Sequence, residues 1–185
     1  MTVTLDDIKQ AHQRIQPYIH CTPILQSTQL NKLFTCELFF KADNMQKVGA
    51  FKARGACNAL FSMTQEALAN GVITHSSGNH GAALAWAAAM RKTSCTVVMP
   101  ENAPSVKKEA VLGYGAEVIF CESTLKAREV TSKKIVQEKG ATFLHPSNNL
   151  DVILGNATAT LELLEEYPTL DVVLTPVGGG GLIAG

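Results

Sequence analysis

Apolar and polar positions along this chain follow two rhythms. Leu5, Ile8, His12 and Ile15 share one face of a helical repeat, with Thr4 placed to cap it and Asp6 and Asp7 in its first turn. The pattern predicts a helix that ends near Pro17, and Cys21-Thr22-Pro23 breaks it. Residues 37–41 read as a buried strand and the Ala/Leu-rich stretch 52–68 as a helix. A short-strand, loop, helix rhythm then sets in. Residues 72–74 lead into a helix over 79–90, 95–99 into one over 104–112, and 117–120 into one over 125–138. Residues 142–144 precede a helix over 155–166, and 172–174 make a last strand before a run of glycines. Short strands alternating with long helices predict an α/β fold, with open, mostly parallel sheets and helices on both faces. No internal repeat, low-complexity tract or flexible linker interrupts it.

Composition narrows the partners. At 46 % hydrophobic, 185 residues can bury the core of one domain or of two small ones. Lys and Arg number 16 against 16 Asp and Glu, so no basic face is available for nucleic acid. The longest apolar run, residues 82–90, is far short of the ~20 residues of a membrane helix. The N-terminus has neither the basic flank nor the apolar core of a signal peptide, which points to the cytoplasm. Five cysteines, an odd count with no Cys-x-x-Cys, fit reduced thiols used as small core residues rather than a disulfide framework or zinc site.

Three segments could carry chemistry. Residues 75–81, His-Ser-Ser-Gly-Asn-His-Gly, join a strand to a helix without one large apolar side chain. A cap needs only one side chain. The surplus of small groups and free N–H donors at a helix N-terminus makes an anion site, with an ordinary cap as the alternative. Residues 175–182, Thr-Pro-Val-Gly-Gly-Gly-Gly-Leu, follow a strand. Consecutive glycines cost roughly 0.5–1 kcal/mol each and are tolerated where a ligand, usually phosphate, approaches the backbone. No Gly-Lys-Ser/Thr follows, so this is not a Walker loop; Gly179, Gly181 and Ala184 fit a dinucleotide loop only loosely. The third segment places Lys52 among Ala50, Phe51 and Ala53 at a helix start. Both the helix dipole and apolar neighbours lower the pKa of a lysine there, as a Schiff-base amine requires. The alternative is a surface lysine with its head in water.

Together, Phe-Lys-x-Arg-Gly-Ala at 51–56, Ser-Ser-Gly-Asn-His at 76–80 and Pro-Val-Gly-Gly-Gly-Gly at 176–181 resemble the fold type II pyridoxal-phosphate enzymes. The resemblance is greatest to the serine racemase and serine/threonine dehydratase (ammonia-lyase) family and runs from about Thr4 to Gly185. It implies a tryptophan synthase β-like fold, pyridoxal 5'-phosphate as cofactor and a small amino acid as substrate. The reaction implied is elimination from L-serine, L-threonine or 3-hydroxyaspartate to a 2-oxo acid and ammonia, with serine racemisation as a companion. Lys52 would bind the cofactor covalently and take the substrate Cα proton, with Phe51 beside the ring. Gly178, Gly179, Gly180, Gly181 and Leu182 would hold the 5'-phosphate, and Asn79 the ring hydroxyl. Ser76, Ser77, Gly78, Asn79 and His80 would grip the substrate carboxylate, and Ser77 would exchange the proton on the face of Cα opposite Lys52. His75 and His80 otherwise read as shaping their loop.

The same resemblance assigns residues 1–50 and 146–185 to a partial large, cofactor-binding domain and 53–145 to a small domain. Family members are longer, and the remainder would carry divalent-metal carboxylates, the partner of the pyridine nitrogen and most homodimer contacts. The chain therefore reads as an N-terminal part, with no metal ligands of its own. Ala50 and Ala82 stand where many members carry Ser and Gln, and Gly155-Asn156-Ala157-Thr158 departs from the usual Gly-Gln-Gly-Thr. Two rival expectations remain: a catalytically incomplete fragment with weak or no cofactor binding, and a nucleotide-binding module built on the glycine loop.

Overall fold

The computed structural model describes residues 3–185. Helix α1 (Leu5–Ile15) opens with the expected cap: the Thr4 hydroxyl accepts from Asp7 N while the Asp7 carboxylate takes the Thr4 N–H. Strand β1 (Ile24–Leu25), helix α2 (Thr28–Phe34) and strand β2 (Phe40–Lys41) follow. The buried strand expected over 37–41 shrinks to the two residues of β2, paired antiparallel with β1, and Phe40 is exposed rather than buried. Two short 3-10 turns at 43–49 lead into α3 (Lys52–Ser62). The helix expected over 52–68 breaks because Met63 is extended and Thr64 caps a separate turn, α4 (Gln65–Leu68).

The parallel rhythm is present. Strand β3 (Val72–His75), α5 (Asn79–Arg91), β4 (Cys95–Pro100), α6 (Ser105–Gly113), β5 (Glu117–Cys121), α7 (Leu125–Lys139) and β6 (Thr142–Phe143) alternate, and α8 (Leu150–Glu166) closes the series. Helix α8 starts five residues before the expected 155 because the Asn149 side chain accepts from Val152 N and caps it there. The strands form one parallel sheet in the order β5-β4-β3-β6. Side chains alternate between its faces. Val72, Val97 and Met99 pack into the larger core with α3, α5 and α6, while Ile73 and Val98 pack beneath α7 with Ile135.

Two further expectations fail. Residues 172–174 form no strand: Val172 and Leu174 are 70 % and 87 % exposed, and no backbone neighbour among the described residues pairs with them. A strand exists only where an adjacent backbone completes its hydrogen bonds. Of the five cysteines, Cys57, Cys95 and Cys121 are buried, but Cys21 and Cys36 are exposed, so two are not core residues. Burial pushes the Cys57 and Cys95 thiols up to about 12, leaving both inert.

Candidate active site

The strand order reverses between β3 and β6, the place where open α/β sheets leave a crevice at their carboxyl ends. From β3 the chain turns through Ser76–Ser77–Gly78 into α5; from β6 it runs through His145, Pro146 and Ser147 towards α8. The sequence-predicted groups gather around these two exits.

Lys52 starts α3 and is partly buried, with its Nζ 5.0 Å from the centre of the Phe51 ring. Burial lowers its pKa, and its Nζ donates to the Pro146 carbonyl at 2.7 Å. The next residue meets the glycine run. A Cβ on Gly179 would stand 2.6 Å from Ser147 Oγ, and one on Gly181 would stand 2.8 Å from Ser147 Cα. The amine and the glycine loop thus converge on adjacent residues, 146 and 147, although 94 positions separate Lys52 from Pro146. Among the described residues no acceptor takes the backbone N–H groups of Gly178, Gly179, Gly180 or Gly181, so the loop offers unspent donors. Asn156 fixes the loop from α8 by donating to the Gly181 carbonyl at 2.8 Å.

A cavity of about 370 Å³ opens beside them, lined in part by Ala50, Phe51, Asn79, Thr175 and Leu182. In the 76–80 segment, Ser76 is buried and closes a small turn, its Oγ accepting from Gly78 N. Ser77 and Asn79 are exposed and Gly78 is half-buried. His80 lies beneath the loop rather than on its rim, 4 % exposed, with neither ring nitrogen partnered. Burial, reinforced by Lys52, His145 and His75, pushes its pKa down to about 3, so the ring is neutral. His75 and His145 are also lowered, in each case chiefly by burial.

Sequence reasoning did not find the charged cluster behind the amine. Arg54, two residues after Lys52 and fully buried, donates to both oxygens of Asp43 and both of Glu162, and to Thr22 and Thr158. Lys41 pairs with Glu162 at 2.6 Å. Burial opposes the Arg54 charge, yet the hydrogen bonds to Glu162 and Asp43 outweigh it and raise the pKa. Burial likewise works against Glu162, but Arg54 and Lys41 hold its carboxyl below the ordinary value. No group of three or more His, Cys, Asp or Glu side chains fit to hold a metal gathers among the described residues. No described helix is long and apolar enough to cross a membrane.

A parallel α/β sheet with a half-buried amine and a loop of unspent N–H donors at its switch point suits a cofactor bearing a carbonyl and a phosphate. Residues 15–185 match the family described as pyridoxal-phosphate dependent enzyme, and the chain belongs to that family. It is 54 % identical over 184 residues to a serine racemase of Dictyostelium discoideum, covering 100 % of this chain and 57 % of that one. It is 47 % identical over 182 residues to a beta-hydroxyaspartate dehydratase of Paracoccus denitrificans, covering 98 % and 58 %. The structure of maize serine racemase superposes with a TM-score of 0.96 at 44 % identity, over 99 % of this chain and 56 % of that one. The chain therefore spans a little over half the length of these relatives. The fold agrees with the expected fold type II architecture.

The cofactor fits the residues present. Its aldehyde and its phosphate arm sit on neighbouring ring carbons, and here the Lys52 amine meets Pro146 while Gly179 and Gly181 lie against the adjacent Ser147. The Ser147 contacts leave no room for a side chain at Gly179 or Gly181, while Gly178 and Gly180 face open space.

Proposed function

We propose that this chain carries the Schiff-base lysine and phosphate cradle of a pyridoxal-phosphate enzyme that acts on a small hydroxy amino acid. The convergence of Lys52 and the glycine loop on residues 146 and 147 carries the reading. Lys52 would bind the cofactor, Gly178, Gly179, Gly180, Gly181 and Leu182 would hold its phosphate, Phe51 would pack beside the ring, and Asn79 would meet the ring hydroxyl. When bound, pyridoxal phosphate supplies the electron sink that stabilises negative charge on Cα. The residues supply position and proton transfer. The lowered pKa of Lys52 favours a free amine, the form that would link to the cofactor and would afterwards accept the Cα proton. The 76–80 turn at the N-terminus of α5 receives the substrate carboxylate, where the helix dipole favours an anion. Ser77 presents an exposed hydroxyl for proton exchange on the second face.

Loss of the Cα proton and of the β-hydroxyl as water, then hydrolysis, converts a hydroxy amino acid into a 2-oxo acid and ammonia. Return of a proton to the other face inverts Cα instead. The two named relatives, a serine racemase and a beta-hydroxyaspartate dehydratase, support these as the alternative outcomes. We assign residues 1–50 and 146–185 to the cofactor-binding part and 53–145 to the smaller part that brings the substrate loop.

The test is a titration of the chain with pyridoxal phosphate, followed by its imine absorbance, then borohydride reduction and mass mapping. We expect a band absent from Lys52→Ala and a reduced adduct on the peptide containing Lys52. A chain that forms no Lys52-dependent band overturns the assignment of Lys52 and the glycine loop as the cofactor site. In a protein that turns over, Ser77→Ala should reduce serine racemisation far more than elimination; equal losses would assign Ser77 to carboxylate binding.

A further inference from the structure

Resting on the reading that Asn79 meets the ring hydroxyl, we propose that Lys107 is the positioning residue that orients the Asn79 amide. Lys107 lies in the first turn of α6 and reaches back over the substrate turn. Its Nζ donates to Asn79 Oδ1, and its stem passes 3.9 Å from where a Cβ on Gly78 would stand. An ammonium has donors only, so it accepts just one orientation of an amide. With Oδ1 held by Lys107, the Nδ2 end is left for the cavity that Asn79 lines with Phe51 and Leu182. That end has no acceptor among the described residues. Asn79 itself is free for this duty, because the N-terminus of α5 takes no side-chain cap. The neighbouring Lys108 points elsewhere, donating to the Glu101 carbonyl and standing over the Phe120 ring.

The consequence concerns the cofactor's protonation. An amide that shows Nδ2 to the cavity donates to the ring oxygen and stabilises it ionised. A freely turning amide could show Oδ1 instead, accept from the hydroxyl and stabilise it neutral. The ionised form absorbs at longer wavelength, so the ratio of the two absorbance bands reads the amide's orientation without any turnover.

The experiment loads wild-type chain, Lys107→Met, Lys107→Arg and Lys108→Met with pyridoxal phosphate and records that ratio against pH. In Lys107→Met the long-to-short-wavelength ratio should fall about fivefold, the effect of one ordinary hydrogen bond. Lys107→Arg, another donor-only cation, should restore it, and Lys108→Met should match wild type. In the cofactor-free chain, the Asn79 side-chain amide resonance should shift in Lys107→Met and hold in Lys108→Met. A wild-type band whose ratio is unmoved by Lys107→Met, or moved equally by Lys108→Met, overturns the role of Lys107 alone. Absence of any Lys52-dependent band overturns the underlying reading, and this inference with it.

Discussion

His80 holds a ring with two unpartnered nitrogens in a buried pocket, which is affordable only while the ring is neutral. Unfolded, the same ring takes a proton near its ordinary 6.5; folded, it resists until about pH 3. The unfolded state therefore binds more protons throughout that window, and stability falls as pH drops through it. His75 and His145 are lowered too and add to the slope. Urea midpoints measured at pH 7 and pH 5 should show this loss, and His80→Leu should lose less over the same interval. Arg54 makes the opposite demand, since its charge must be kept and matched. Arg54→Ala takes the buried cation from Asp43 and leaves Glu162 with Lys41 alone, at a cost of about 3–5 kcal/mol in denaturant unfolding. Lys52 stood out in the sequence only together with the two loop motifs, since alone it reads as a surface lysine. The burial of Arg54 was not legible there, because an arginine two residues after a lysine reads as surface until its distant carboxylate, Glu162, is brought to it.

Helices α3 and α8 cross unusually closely, and their glycines permit it. A Cβ on Gly155 would stand 2.5 Å from the Arg54 carbonyl and 2.7 Å from Gly55 Cα. Gly155→Ala must wedge the helices apart, costing about 1–3 kcal/mol in a thermal or urea melt. Because α3 begins at Lys52 and α8 holds the glycine loop through Asn156, the same change should weaken pyridoxal-phosphate binding. Gly178→Ala is the contrasting case. Nothing lies within 4 Å of its added Cβ, so stability should stay within about 0.5 kcal/mol while cofactor affinity drops. The helices and the parallel strands were readable as elements because each carries its own periodicity. Residues 172–174 carry the same apolar signature, but a strand also needs a neighbour, which local sequence does not encode. The Gly55–Gly155 crossing is invisible for a similar reason: each glycine alone looks like a weakened helix.

At the scale of the molecule, the zero net charge leaves surface apolar groups as the chief determinant of association. Val172, Leu174, Val177 and Ile183 are all more than half exposed within one short stretch. Such clustering promotes contacts between molecules. Light scattering of this chain should rise with concentration, and Leu174→Ser with Val177→Ser should reduce that rise without changing the melting midpoint. The bond from Lys52 to Pro146 and the pairing of Arg54 with Glu162, 94 and 108 residues apart, bear on time as well as place. Everything between them, the whole parallel sheet, consists of shorter-range pairings that close with less loss of chain entropy. The sheet can condense while the ends are still loose, and the docking of α8 on α3 would then bring Lys52 and the glycine loop together. If these groups hold the cofactor as proposed, its capture would be a stopwatch for that docking, silent through every earlier step.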